Sequence, residues 1–255
     1  MSGLAIAVGF YTRLPVRAAA ARSEDLAAAA PWFPVVGAGI GMAVAGVYVA
    51  LAEVLPPVLA ATVAAGAGAL LTGAFHEDGL ADVADAFGGG WTVERRLEIL
   101  DDPRLGTFGV VAVTVAMLAR VTSVAALDVP GALALLPAAH ALSRAPAVVL
   151  MRRGRSARST GLAATLAHGI GAAGEGAAVA VAIVIGATLI GVWTIPAVAL
   201  VAGVSAAMAV LAHCKIGGTN GDVLGATQQL GELAVLLLGV AVVHNGWGDL
   251  AWWAA

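Results

Sequence analysis

The chain has 255 residues, 60% of them hydrophobic and 11% charged, with a mean hydropathy of +0.95 and a formal net charge of −3. Soluble domains carry roughly a quarter charged residues, so the composition reads as a polytopic membrane protein whose apolar excess faces lipid, with no polybasic surface for nucleic acid. One cysteine, Cys214, excludes an internal disulfide framework and a cysteine-based zinc cluster.

Residues 1–10 are apolar and lack a basic leader; the arginines Arg13, Arg17 and Arg22 come after them. This segment is expected to be retained and to lie along the interface. Windows of about 20 apolar residues, enough to cross the hydrocarbon core, give seven candidate spans: 34–55, 58–75, 107–127, 131–150, 176–194, 196–213 and 230–247. Pro56-Pro57, Asp128-Val129-Pro130 and Thr194-Ile195-Pro196 read as tight turns, because proline ends helices sharply. The segments 1–33, 76–106, 151–175 and 214–229 are long and polar.

Seven spans put every long segment on one face. Of the 13 Lys and Arg, 11 lie in those segments: Arg13, Arg17, Arg22, Arg95, Arg96, Arg104, Arg152, Arg153, Arg155, Arg158 and Lys215. By the positive-inside rule that face is cytoplasmic, and Trp247, Trp252 and Trp253 anchor the tail at the opposite interface. Small residues such as Gly37, Gly39 and Gly41 favour close helix packing. The expected fold is all-α: a helical bundle of about seven transmembrane helices with short cytoplasmic interfacial helices, one membrane-embedded catalytic domain over 1–255.

The stretch 73–85 puts Glu77, Asp78, Asp82 and Asp85 at the end of an apolar run. In a helix, Asp78, Asp82 and Asp85 fall within about 60° of one another, and Glu77 roughly 100° away. Like charges on one stripe repel, which calls for a cation between them. Carboxylates are hard oxygen ligands suited to Mg²⁺ with waters and phosphate oxygens; the competing reading is a solvated acidic loop. His76-Glu77 begins like a zinc-protease motif, but Leu80 stands where the second histidine would be.

After Gly88-Gly89-Gly90 a short cytoplasmic helix is expected, capped by Thr92 and stopped before Pro103. It leads to Asp102 and Arg104, and an arginine beside a carboxylate site suits phosphate. Arg120 lies deep in a span, where an ion pair with Asp128 at the far edge accounts for it; Arg144 is a site candidate near a span end. The run 152–158 first of all sets topology at an anionic leaflet. A second glycine-rich turn, Gly217-Gly218-Thr219-Asn220-Gly221-Asp222, can turn backbone N–H groups to an anion and offer Asp222 to a metal.

Several of these blocks, in this order, resemble the bacterial cobalamin synthase family: Phe10 to Val16, His76 to Asp82 with Asp85, Asp102 to Gly109, Ser143-Arg144, and Gly217-Gly218 through Gly221-Asp222 to Ala226. The resemblance covers almost the whole chain. It implies an integral inner-membrane enzyme, active site facing the cytoplasm, that joins adenosylcobinamide-GDP to α-ribazole or its 5′-phosphate and releases GMP with Mg²⁺. It implies metal on Asp78, Asp82 and Asp85, with Glu77 and Asp222 as further ligands or base, and substrate on Arg13, Asp102, Arg104, Arg144, Gly217, Gly218, Asn220 and Gly221. Partners would be the two small-molecule substrates and membrane lipid, with no nucleic acid; a homo-oligomer is compatible. The chain departs from the family pattern at Ala86, Asp101 and Asn220. The alternatives are a CDP-alcohol phosphotransferase-like phospholipid synthase and an ion-coupled transporter.

Overall fold

The computed structural model describes residues 2–16, 23–157 and 169–254. Arg17, Arg22 and Arg158 of the basic set lie outside them. Among the described residues there are helices and no strand, apart from one isolated bridge between Ser156 and Thr219. The helices are α1 (Gly3–Tyr11), α2 (Ser23–Ala29), α3 (Phe33–Ala52), α4 (Pro57–Thr72), α5 (Phe75–Gly89), α6 (Val93–Leu100) and α7 (Thr107–Ala125). They continue with α8 (Val129–Leu142), α9 (Ala145–Arg153), α10 (Ala172–Ile190), α11 (Thr194–Ile216) and α12 (Gly221–His244).

Among the described residues five helical segments are long and apolar enough to cross a membrane, or six if the bent pair α4–α5 counts as one span. One of the five, Ala172–Ile216, has 45 residues, which as a single rod would be about 68 Å, over twice the hydrocarbon thickness. It is a hairpin: the turn Gly191–Trp193 breaks it, and a Cβ on Gly186 would lie 3.0 Å from Thr194. The expected number of about seven is reached by counting this hairpin twice and the bent pair once.

The expected straight span 58–75 is corrected. The α4 helix has 16 residues, about 24 Å, and the chain then bends by 91° into α5. Gly73 (φ 71°) and Ala74 (φ 55°) form the bend, both left-handed. Leu70 to Phe75 carries no charged residue, so hydropathy carries the span through a break that only backbone conformation reveals. The 131–150 span is likewise two helices, α8 and α9, divided at Ser143–Arg144. The 214–229 segment is mostly the first turns of α12.

The core is built on small residues. Helix α3 lies on α8, where a Cβ on Gly41 would press into the backbone of Leu136 and Pro137. The tail closes the tight-turn end, its Trp252 and Trp253 indoles donating to the Thr188 and Leu189 carbonyls at 3.0 and 3.2 Å. At the opposite end the long segments knit together. Thr92 caps α6 by accepting from Arg95 N–H at 3.2 Å, as expected, and Arg96 donates to the Lys215 carbonyl at 3.0 Å.

Candidate active site at the acidic helix

Helix α5 carries the four carboxylates, and the structure gives them two kinds of surroundings. Asp78 is exposed and Asp82 half-buried, and among the described residues neither is ion-paired with a lysine, arginine or histidine. Asp82 feels the charges of Asp78, Asp222 and Asp85. Asp222 comes from the first turn of α12, which packs closely on α5: a Cβ on Gly79 would sit 2.9 Å from the Asp222 carbonyl oxygen. Glycine at 79 is what lets the two backbones approach, and so brings the second glycine-rich element beside the acidic stripe.

Glu77 and Asp85 are engaged elsewhere. The buried Asp85 carboxylate accepts from the backbone N–H of Gly106 at 2.7 Å and of Gly109 at 2.9 Å, so it caps the N-terminus of α7 from another helix. The first N–H groups of a helix lack internal partners and carry partial positive charge; a carboxylate there is well placed for stability. Glu77 points inward to Arg120, 3.5 Å away. Among the described residues no three His, Cys, Asp or Glu side chains are close enough to hold a metal. The carboxylates therefore form no closed cage, which is compatible with Mg²⁺, an ion normally held by one or two carboxylates with water and substrate phosphates completing its shell.

The other expected residues divide similarly. Arg104 is 84% exposed and bonded within its own loop, its Nε donating to Asp102 Oδ1 at 2.8 Å. That guanidinium holds the Asp102 carboxyl down at about 2. Arg13 is exposed and lies against Gly73 at the α4–α5 bend, its N–H donating to the Leu71 carbonyl at 2.8 Å. Gly217 ends α11 in the left-handed region (φ 79°), and Gly218 lies against the backbone of 155–157, where Thr219 N–H donates to the Arg155 carbonyl at 2.8 Å. Asn220 caps α12, accepting from Val223 N–H at 3.0 Å while its amide donates to Asp222 at 2.7 Å. Gly221 is exposed with open space where a side chain would stand. Arg152 and Arg153 both pair with the buried Glu175, so the first turn of α10 balances one of that run's charges.

Two calls change. Arg120 does not reach Asp128, which caps α8 through Gly131 N–H at 2.8 Å; Arg120 sits on the buried face of α7 and meets Glu232 at 3.0 Å. Arg144 is 1% exposed, stacked over the Tyr11 ring at 5.2 Å and donating to the His140 carbonyl at 2.8 Å. It belongs to the interior and not to the open carboxylate surface. Glu232, His140, Gln228 and Gln229 join it there and were missed. A lone glutamate inside the span 230–247 was the available signal, since a charge in a membrane helix calls for a partner.

The family described as cobalamin-5-phosphate synthase matches residues 3–241. The chain belongs to the cobalamin-5-phosphate synthase family. It is 40% identical over 255 residues to an adenosylcobinamide-GDP ribazoletransferase of Ralstonia nicotianae, covering 97% of this chain and 94% of that one. It is 40% identical over 249 residues to the protein of the same name from Bradyrhizobium diazoefficiens, covering 94% of each. A third, from Shewanella halifaxensis, is 36% identical over 242 residues, covering 91% of this chain and 92% of the other. No solved structure matches. Kinship of this extent to the cobalamin-5-phosphate synthases sets aside the phospholipid-synthase and transporter readings.

Proposed function

We propose that the open carboxylate surface of α5 and α12 is where this transferase joins adenosylcobinamide-GDP to α-ribazole or α-ribazole 5′-phosphate, giving adenosylcobalamin or its 5′-phosphate and GMP. This is the last assembly step of the cobalamin nucleotide loop. The reaction follows from membership of the family and from near full-length similarity to named ribazoletransferases. What supports its location is the close approach of α5 and α12 at Gly79, which brings Asp222 beside the helix that carries Asp78 and Asp82.

A ribose hydroxyl oxygen forms the new bond to the cobinamide-side phosphorus of the diphosphate, the bond from that phosphorus to the GMP oxygen breaks, and the hydroxyl proton is lost. Such transfer rests on positioning and charge neutralisation. Asp78 and Asp82 are the pair that would hold Mg²⁺, with Asp222 beside them and water and substrate phosphates filling the rest of the shell; Glu77 and Asp85, already committed to protein partners, would not. When bound, Mg²⁺ neutralises the diphosphate oxygens and the charge that develops on the departing phosphate. Arg104, on an exposed loop, meets phosphate by exchanging Asp102 for it, and the N-terminus of α12 at Gly221 favours an anion nearby. Arg13 borders the same end at the α4–α5 bend.

The basic residues at this end support a cytoplasmic orientation in the bacterial inner membrane. Replacing Asp82 with Asn in purified, membrane-reconstituted enzyme should abolish GMP release at every Mg²⁺ concentration. Near-normal release would remove the assignment of the site.

A further inference from the structure

Beneath the acidic helix lies a charged cluster that the reaction itself does not use. Arg120 of α7 reaches Glu232 of α12 through Nη2 at 3.0 Å and Nε at 3.1 Å, and donates to Gln229. Glu232, 1% exposed, is also met by His140 Nδ1 at 3.1 Å and Gln228 Nε2 at 2.7 Å. Gln228 donates on to Ser143 at 3.1 Å. With Arg144 and Glu77 the cluster holds two arginines and two glutamates, so it is balanced in charge.

Membrane helices pack without such groups, through small residues and van der Waals contact, and replacing a buried ion pair by apolar side chains of similar volume is often neutral or stabilising. Helix cohesion alone therefore does not account for the cluster. Its outward link does. Its ion pair toward the carboxylate surface is Arg120 to Glu77, in the first turn of α5. That turn follows directly on the left-handed pair Gly73–Ala74 and the 91° bend. A helix that starts after such a break inherits no direction from the helix before it. Its rotation is fixed by what grips its ends: Asp85 at α7 for the last turns, and Glu77 at Arg120 for the first.

A cavity of about 20 Å³ borders Glu77, Arg120, His140, Arg144 and Glu232. Two buried polar atoms lacking a protein partner, Glu77 Oε2 and Arg144 Nε, belong to residues lining it. The space is large enough for one water, which would accept from the guanidinium and donate to the carboxylate.

We infer that Arg120 and Glu232 are positioning residues: through Glu77, backed by one buried water, they set the rotation of α5 and so hold Asp78 and Asp82 toward Asp222. This rests on the reading of that surface as the reaction site. Rotation of α5 displaces its carboxylates without removing them, and a misplacement of about 1 Å can cost about a hundredfold in rate.

The test uses the full-length enzyme in nanodiscs, with turnover normalised to the folded fraction from thermal unfolding. Arg120→Met is expected to lower kcat about a hundredfold while KM for both substrates stays within about threefold, since no substrate contact is removed. Arg120→Lys, which keeps charge but loses the fork, should recover part of that loss. Hydrogen exchange should rise over 75–89 in the Met variant. If Arg120→Met does not fold, Arg120→Lys and Glu232→Gln carry the same comparison. Unchanged kcat per folded molecule, or a loss expressed in KM alone, overturns the inference. Wild-type enzyme silent with adenosylcobinamide-GDP and α-ribazole would instead overturn the reaction reading, so the two failures are distinguishable.

Discussion

Asp78 and Asp82 stand on the same helix as Glu77 and Asp85, yet the two pairs live in different electrostatic worlds. Asp85 spends both oxygens on the backbone of α7 and Glu77 is drawn to Arg120. Asp78 and Asp82 keep no cationic partner among the described residues and face Asp222. The difference teaches that a cluster of four acids in nine residues is not one site. Two of the carboxylates hold the helix in place, so that the other two can remain close to each other and to Asp222 in the absence of substrate.

The sharpest way to break this division is at the open pair, where Asp82→Asn should eliminate turnover with little change in melting temperature. Next in size is Gly79→Ala. The added methyl would press 2.9 Å from the Asp222 carbonyl oxygen, and overpacking of this kind costs about 1–3 kcal/mol; α12 must move away and GMP release should fall with it. The anchors should lose stability as well as rate. Asp85→Ala removes the cap of α7 and should destabilise the protein by about 1–2 kcal/mol, seen as a lower melting temperature, with a fall in kcat of the folded fraction smaller than the loss in Asp82→Asn. Ala74→Gly relieves a left-handed alanine and should stabilise by about 1 kcal/mol. If turnover falls in that variant even as stability rises, the stiffness of the bend matters for α5. The smallest effect belongs to Asn220→Thr, which exchanges one N-cap for another and should change unfolding by a few tenths of a kcal/mol at most.

What the sequence discloses here is set by contrast. Against an apolar background the carboxylates of 77–85 and their helical spacing are plain, as are the spans and the Thr92 cap of α6. Partners distant along the chain are not. Arg120 and Glu232 are separated by 112 residues, whereas Asp128 is the acid nearest to Arg120 along the chain. Asp85 looked like a third member of the stripe because spacing cannot tell a carboxylate aimed at solvent from one aimed at the end of another helix. The bend at Gly73–Ala74 was hidden for a different reason: hydropathy reports which side chains are apolar, and the break lies in two backbone dihedrals. Asn220, a departure from the family pattern, caps α12 through its side chain.

The division of labour among the four carboxylates is tested most directly by metal binding without turnover. Mn²⁺ can replace Mg²⁺ as a spectroscopic probe, and its binding to the full-length enzyme in the presence of GDP can be followed by electron paramagnetic resonance. The account predicts that Asp78→Asn and Asp82→Asn each weaken Mn²⁺ binding severely, whereas Asp85→Asn, measured on folded protein, binds it as wild type does. Retained binding in both Asp78→Asn and Asp82→Asn, or loss of it in folded Asp85→Asn, would contradict the account.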